Sequence, residues 1–241
     1  MNHPVITIVF DNNPYKKGLK SGWGFSCLIE GMEKRVLFDT GADGSILLNN
    51  MKLLGFAPEM VETLVLSHAH MDHIGGVNAL LQNNAKLTVY LPASFPESFK
   101  ANTKQYGVDI IEVKKSIEII NGVYSTGEMD AWMQEQSLII RTDKGMVIIT
   151  GCAHPGIVNI VKRAKALFDD EVLLVMGGFH LRSESSRDIK RIISDMQRLG
   201  VRYVAPCHCS GDKARKLFQE AYGEHYIPAG VGKRVDTKVL Q

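Results

Sequence analysis

The sequence predicts an α/β fold built on mixed sheets, with parallel and antiparallel strands side by side. Three observations lead there. Short β-branched runs alternate with helical stripes through the second half of the chain, an order that places helices against sheet faces. The early strands come in pairs with no helix between them, which disfavours a wholly parallel sheet. Hydrophobic residues make up 45% and charged residues 22%, enough apolar material for a sizeable core.

Val5–Phe10 reads as a β-branched strand. Phe25–Glu30 and Lys34–Asp39 read as two strands joined by a turn at Gly31. Gly44–Leu54 reads as a helix stopped by Gly55. Thr63–Ser67 is a short apolar strand leading into His68, Ile74–Gln82 a helix, and Leu87–Leu91 a strand. Between 92 and 136 the pattern fades, with strands only at Ile110–Val113 and Ile117–Ile119. Those residues are expected to shape the mouth of a pocket. Ser137–Thr142 and Gly145–Thr150 flank Asp143-Lys144 as a hairpin. Ile157, Ile160, Val161, Ala164, Leu167 and Phe168 form a helical stripe, and Val172–Met176 a buried strand. Ile189, Ile192, Ile193, Met196 and Leu199 form a second stripe, ended by Gly200. Val201–Ala205 is a strand, Ala214–Tyr222 a helix before Gly223, and Gly230–Val239 a short final strand.

Length and composition exclude several functions. With 241 residues, no low-complexity linker and no short repeat, one domain over 1–241 is expected. No stretch approaches the ~18 apolar residues of a membrane span. The N-terminus has no basic region before an apolar run, so a cytoplasmic protein is expected. The net charge of +2 gives no electrostatic reason to bind nucleic acid. Four cysteines in such a chain do not form a disulfide framework. Cys27 and Cys152 read as small buried hydrophobes. Cys207 and Cys209 flank His208, and strand alternation points both away from it, so neither is expected as a ligand.

Histidine carries the chemical signal. The segment Ser67-His68-Ala69-His70-Met71-Asp72-His73 starts as a strand and ends in a helix. An extended chain puts His68 and His70 on one face. Asp72 and His73, at the start of the helix, point back to the same place, and Gly75 and Gly76 permit close packing there. Neutral imidazole and carboxylate suit zinc and similar divalent ions. Four such groups in six residues exceed what one tetrahedral ion takes from one segment, so two neighbouring ions are expected. His154, His180 and His208 each follow another strand, and ligands gather at strand ends in α/β sheets. His154 and His208 are expected as ligands. Three roles stay open for His180: metal ligand, proton donor or substrate contact. Asp39, after its own strand, is expected either to accept a hydrogen bond behind the ligands or to cap a helix or turn. Trp23 and Phe25 read as core, while Asn12 and Asn13 are placed at the pocket border.

His68-x-His70-x-Asp72-His73, with Asp39 before it and His154 and His208 after it, resembles the metallo-β-lactamase superfamily. The resemblance implies a four-layer αββα sandwich of two mixed β-sheets with a dinuclear site at one edge. It implies that His68, His70 and His154 hold one ion and that Asp72, His73 and His208 hold the other. Many members place a bridging aspartate or cysteine before the last histidine. This sequence has Gly177-Gly178-Phe179-His180 there, which leaves His180 or a bridging water for that position. Gly151-Cys152-Ala153-His154 and Pro206-Cys207-His208-Cys209-Ser210-Gly211 resemble the metal-dependent hydrolase branch similar to 7,8-dihydropterin-6-yl-methyl-4-(β-D-ribofuranosyl)aminobenzene 5′-phosphate synthase.

The leading functional expectation is a hydrolase in which two divalent ions activate water against an ester, lactone, amide or phosphoester. Zinc suits the donors best; manganese and iron are compatible. Asp72 would orient the nucleophile and accept its proton, and His180 would protonate the leaving group. The branch implies an alternative, a transferase in which an aminobenzene amine displaces diphosphate from a pterin. Lys16, Lys17, Lys233 and Arg234 are the cations available for phosphate, though scattered lysines are usually solvated surface. A non-catalytic metal-bound ligand sensor is the third class. The expected partner is a small-molecule substrate, phosphorylated in the transferase case, with no nucleic acid and no membrane. Oligomeric state has no signal in the sequence.

Overall fold

The computed structural model describes residues 3–241. Seven strands form one sheet: β1 (Val5–Asp11), β2 (Phe25–Glu30), β3 (Val36–Phe38), β4 (Thr63–Val65), β5 (Thr88–Pro92), β6 (Asp109–Val113) and β13 (Arg234–Asp236), in the order β13-β1-β2-β3-β4-β5-β6. Six form the other: β7 (Lys115–Ile120), β8 (Val123–Gly127), β9 (Leu138–Thr142), β10 (Gly145–Thr150), β11 (Val172–Gly178) and β12 (Val201–Cys207), in the order β12-β11-β10-β9-β8-β7.

Connection length decides strand direction. β1, β2 and β3 pair antiparallel, as do β7 to β10. From β3 to β6 the pairs are parallel, with α1 (Gly44–Leu53), α3 (Val77–Asn83) and α4 (Glu97–Lys104) in the crossovers. From β10 to β12 they are parallel across α5 (Ile157–Phe168) and α6 (Ser186–Arg198). Parallel neighbours need such a crossover, whereas a hairpin needs only a turn.

Three apolar clusters fill the three interfaces of the four layers. One packs α1 and α3 on the first sheet through Leu47, Met51, Leu80, Leu81, Leu37 and Val89. The middle cluster lies between the sheets. The third packs α5, α6 and α7 (Asp212–Tyr222) on the second sheet. β10 shows how alternation serves both sides: Val147 and Ile149 face the other sheet, while Met146 and Ile148 face the helices. The αββα sandwich of mixed sheets is the architecture expected. Among the described residues, no helix is long and apolar enough to cross a membrane.

Some elements differ from the sequence reading. The expected helix Ile74–Gln82 is two helices, α2 (Met71–Ile74) and α3, broken at Gly75-Gly76. Those glycines press on the preceding loop: a Cβ on Gly75 would stand 2.3 Å from the Ala42 carbonyl, and one on Gly76 2.6 Å from that of Thr40. Packing there bends the chain into a new helix. The strand expected over Lys34–Asp39 ends at Phe38, because Asp39 adopts a left-handed φ of 57°. The final strand shrinks to Arg234–Asp236. Within 92–136, β6 and β7 stand where strands were expected, but α4 and β8 were not read. Helix α4 has no apolar stripe to read: it buries Lys100, whose Nζ bonds the Ala93 carbonyl at 2.8 Å and Glu97 and Glu112 at 2.7 Å each.

Candidate metal centre

Strand ends from both sheets build one site. Asp11 ends β1, Asp39 follows β3, residues 67–73 follow β4, 151–154 follow β10, 179–180 follow β11 and 208–209 follow β12. The local backbone is strained. Five described residues other than glycine have positive φ, and four of them are Asp39, Ala153, His180 and His208. The strained turns re-aim side chains that a continuing strand would have sent to alternate faces.

Four histidines are anchored through Nδ1. His68 Nδ1 lies 2.8 Å from Ser67 Oγ, which itself donates to Asp39 Oδ2 at 2.7 Å. His73 Nδ1 lies 2.6 Å from Asp39 Oδ2, His154 Nδ1 2.8 Å from Glu135 Oε2, and His208 Nδ1 2.9 Å from Asn12 Oδ1. Each partner accepts, so each ring carries its proton on Nδ1 and turns Nε2 inward, toward His70 for His68 and toward Cys152 for His73 and His208. His70 is the exception, with its Nδ1 facing His68 Nε2 at 3.0 Å.

The inward atoms fall into adjacent groups. His68, His70 and His154 offer ligand atoms within 4.8 Å of one another, and so do Asp72, His73, His208 and Cys152. The rings of His68 and His73 lie 4.2 Å apart at the junction. A third group holds Cys152, His180 and Cys209. His180 thus stands beside both histidine groups rather than within either, its ring 4.7 Å from that of His154.

Burial sets the charge states. It drives the pKa of His68 and of His73 down to about 3, keeping both rings neutral. Burial lifts Asp39 to about 7. Asp72 and Glu135 also lose hydration. The His208 and His73 rings outweigh this for Asp72, and His154 and His68 for Glu135, so both stay below the usual carboxylate range. A hydrogen bond to Cys209 raises His180.

Metal ions fit these residues. The Nε2 of His154 is buried and has no hydrogen-bond partner, although Glu135 fixes its ring. A buried nitrogen left bare beside two other imidazoles costs stability unless something binds it. Soft and borderline donors in this number match zinc and its neighbours.

Sequence reasoning missed several residues. Glu135 is buried, and its carboxylate takes the backbone N–H groups of Cys152, Ala153 and His154 at 2.8 to 2.9 Å. It comes from a stretch without periodicity, so nothing marked it. Asp11 accepts the His208 N–H at 3.2 Å. Asn12 borders the site as expected, while Asn13 bonds Asp11 and Arg215. Trp23, expected in the core, is instead 46% exposed, with its ring 5.1 Å from His208 and Arg182 above it at 5.2 Å. Phe25 is core. Cys152 is buried as expected, yet its thiol faces the second group. Cys207 lies between the sheets, but Cys209 turns into the site, because β12 ends at Cys207 and a 3-10 turn follows. Trp132 packs on His70 and His154 from the 92–136 stretch. A cavity of ≈ 470 Å³ opens beside the centre, lined by Trp23, His180, Arg182, Ser183 and Cys209.

Known proteins share this fold. Residues 24–168 match the family model described as the metallo-beta-lactamase superfamily. The chain is 30% identical to the 7,8-dihydropterin-6-methyl-4-(beta-D-ribofuranosyl)-aminobenzene-5′-phosphate synthase of Methanocaldococcus jannaschii, over 96% of each chain. It is 32% identical to an uncharacterised protein of the same organism, over 95% of this chain and 98% of the relative. Its structure superposes on that of Tm1679, described as a metal-dependent hydrolase of the beta-lactamase superfamily, with a TM-score of 0.83 and 27% identity over 97% of this chain and 98% of the other.

Proposed function

Because the chain belongs to the metallo-β-lactamase superfamily, we propose that it is a metal-dependent hydrolase acting on an ester, lactone, amide or phosphoester at a site for two divalent ions. The bare, buried Nε2 of His154 beside His68 and His70 carries this reading. His68, His70 and His154 would hold the first ion; Asp72, His73 and His208 would hold the second. Ions bound there supply Lewis acidity and a water acidic enough to ionise near neutral pH.

The chain's own residues do the rest. Asp39, Ser67, Glu135 and Asn12 fix the rings so that their Nε2 atoms face the site. Asp72, held ionised, accepts a hydrogen bond from the attacking water. A carboxylate with so low a pKa orients water better than it keeps a proton. His180 stands at the cavity wall, and the hydrogen bond to Cys209 favours its protonated form, as a donor to a leaving group requires. Arg182 and Trp23 offer a cation and a ring face to a substrate with an anionic or aromatic part.

The transferase reading keeps one specific support, the 30% identity to a relative named as a synthase. In that case the same donors would serve a diphosphate leaving group, with Arg182 near it. One experiment separates the readings. The protein is stripped by a chelator, reloaded with Zn2+, Mn2+ or Fe2+, and assayed on ester, lactone and phosphoester panels and on a pterin diphosphate with the aminobenzene ribotide. Hydrolysis that disappears with the metal, and in His68→Ala, supports the hydrolase. Full turnover in stripped protein overturns it. Amine-dependent diphosphate release selects the transferase, and a loaded site with no turnover on any panel selects the ligand sensor.

A further inference from the structure

The second donor group has three expected members, which leaves a fourth tetrahedral position that a further protein atom can fill. Asp72, His73 and His208 supply three, whereas zinc held wholly by protein takes four. The strand end that would supply an acidic residue reads Gly177-Gly178, and Gly178 has no room for a side chain. A Cβ there would stand 2.3 Å from the Gly151 carbonyl oxygen, 2.6 Å from Cys209 Sγ and 3.1 Å from His208 Cδ2.

The sulfur of Cys152 fills the place from another loop. It lies 3.3 Å from His73 Nε2 and 3.4 Å from His208 Nε2. With Zn–S near 2.3 Å and Zn–N near 2.0–2.1 Å, sulfur and nitrogen on one tetrahedral ion stand about 3.6 Å apart. The observed contacts lie a few tenths of an ångström inside that value, S–H···N spacings in which a bound ion would take the place of the thiol proton. Glu135 fixes the Cys152 backbone N–H at 2.8 Å and so holds the side chain in this direction. A cysteine serving only as a small apolar residue would sit among methyl groups, as Cys27 does between the sheets. Cys152 sits between two imidazole nitrogens that face the site.

We propose that Cys152 Sγ, as a thiolate, ligates the second ion together with Asp72, His73 and His208, in the role that Gly178 denies to an acidic residue. The proposal rests on the metal-binding reading above. A thiolate makes this half of the site the softer one, favouring zinc, cobalt or ferrous iron over magnesium or calcium.

Cobalt reports the ligand directly. Wild-type protein stripped of metal and loaded with two equivalents of Co2+ should show sulfur-to-cobalt charge-transfer absorption in the near ultraviolet. Cys152→Ser should lose that band and retain one ion instead of two in equilibrium dialysis. Cys209→Ser should keep both band and stoichiometry. The band in the loaded wild type is read without any variant, which covers the case of a variant that does not fold. Two bound ions with no sulfur band in the wild type would overturn the proposal and leave the metal-binding reading standing. So would a band that survives Cys152→Ser or vanishes in Cys209→Ser. Wild-type protein that takes up no cobalt would overturn both.

Discussion

His73 Nδ1 lies 2.6 Å from Asp39 Oδ2, and neither side chain reaches solvent. The same carboxylate takes the Ser67 N–H at 2.7 Å and the Ser67 hydroxyl at 2.7 Å, and that hydroxyl receives His68 Nδ1–H. One buried group thus orients a ring in each histidine group. Asp39→Asn keeps the shape but replaces one acceptor oxygen by a donor, so His73 or Ser67 loses its partner. Metal affinity should fall by about 10–100-fold, as for other groups that orient metal ligands. Competition against a chromogenic chelator measures it, and unchanged affinity would show that Asp39 serves only the fold.

Glu135 does for the 151–154 loop what Asp39 does for 67–73. Its two oxygens bond three consecutive backbone N–H groups and His154 Nδ1. Glu135→Ala leaves those donors buried without acceptors. Breaking a buried charged set in this way costs about 3–5 kcal/mol, which should appear as a large fall in the urea midpoint. Glu135→Gln retains one acceptor and should lie between the two. A Glu135→Ala protein as stable as the wild type would contradict the accounting.

The metal segment was legible because its spacing is local. His68, His70, Asp72 and His73 reach one place through strand alternation and one turn, and both are written in adjacent residues. His154 and His208 were legible as histidines just past apolar strands. Glu135 and Asp11 were not, since their partners lie on loops distant in sequence. Alternation gives the wrong direction for the Cys209 side chain, because it stops at the strand end, where His208 takes a φ of 47° and reverses it. Trp23 was misjudged because size favours burial only on average, and here the ring borders an open cavity. The layers read correctly because hairpin turns and helical crossovers fix strand direction locally, whereas α4 buries a lysine and shows no stripe.

Acid should destabilise the metal-free protein. Burial lowers His68 and His73 from 6.5 to about 3, so between those values the unfolded chain binds protons that the fold refuses. Stability contributed by the two rings is therefore fully present above pH 6.5 and is lost as pH falls toward 3. Asp39, raised from 3.8 to about 7, acts in the opposite sense across its own window. Three lowered imidazoles, His68, His70 and His73, oppose two raised carboxyls, Asp39 and Asp11, and the depressed carboxylates of Asp72 and Glu135 add to the acid side. The Tm of stripped protein should fall steadily from pH 6.5 to pH 4. A flat profile would mean that the buried rings do not resist protonation.

Gly178 offers the sharpest contrast between a sequence analogy and a steric fact. The resemblance drawn from the sequence implies an acid at this strand end, and by that analogy Gly178→Asp should strengthen the second ion's site. The geometry says otherwise. Any Cβ meets the Gly151 carbonyl and the Cys209 sulfur well inside contact distance, and the carbonyl cannot rotate away, because it accepts the Gly178 N–H at 3.2 Å. Relief requires β11 to separate from the 151–154 loop, carrying Cys152 and His154 with it. Gly178→Ala should therefore cost about 1–3 kcal/mol, the usual range for an overpacked core site, and Gly178→Asp should bind fewer equivalents of zinc than the wild type. Thermal melts and metal analysis of the two variants test this together. Tighter zinc binding by Gly178→Asp would mean that the loop yields, and that shortage of space is not what keeps an acid from this position.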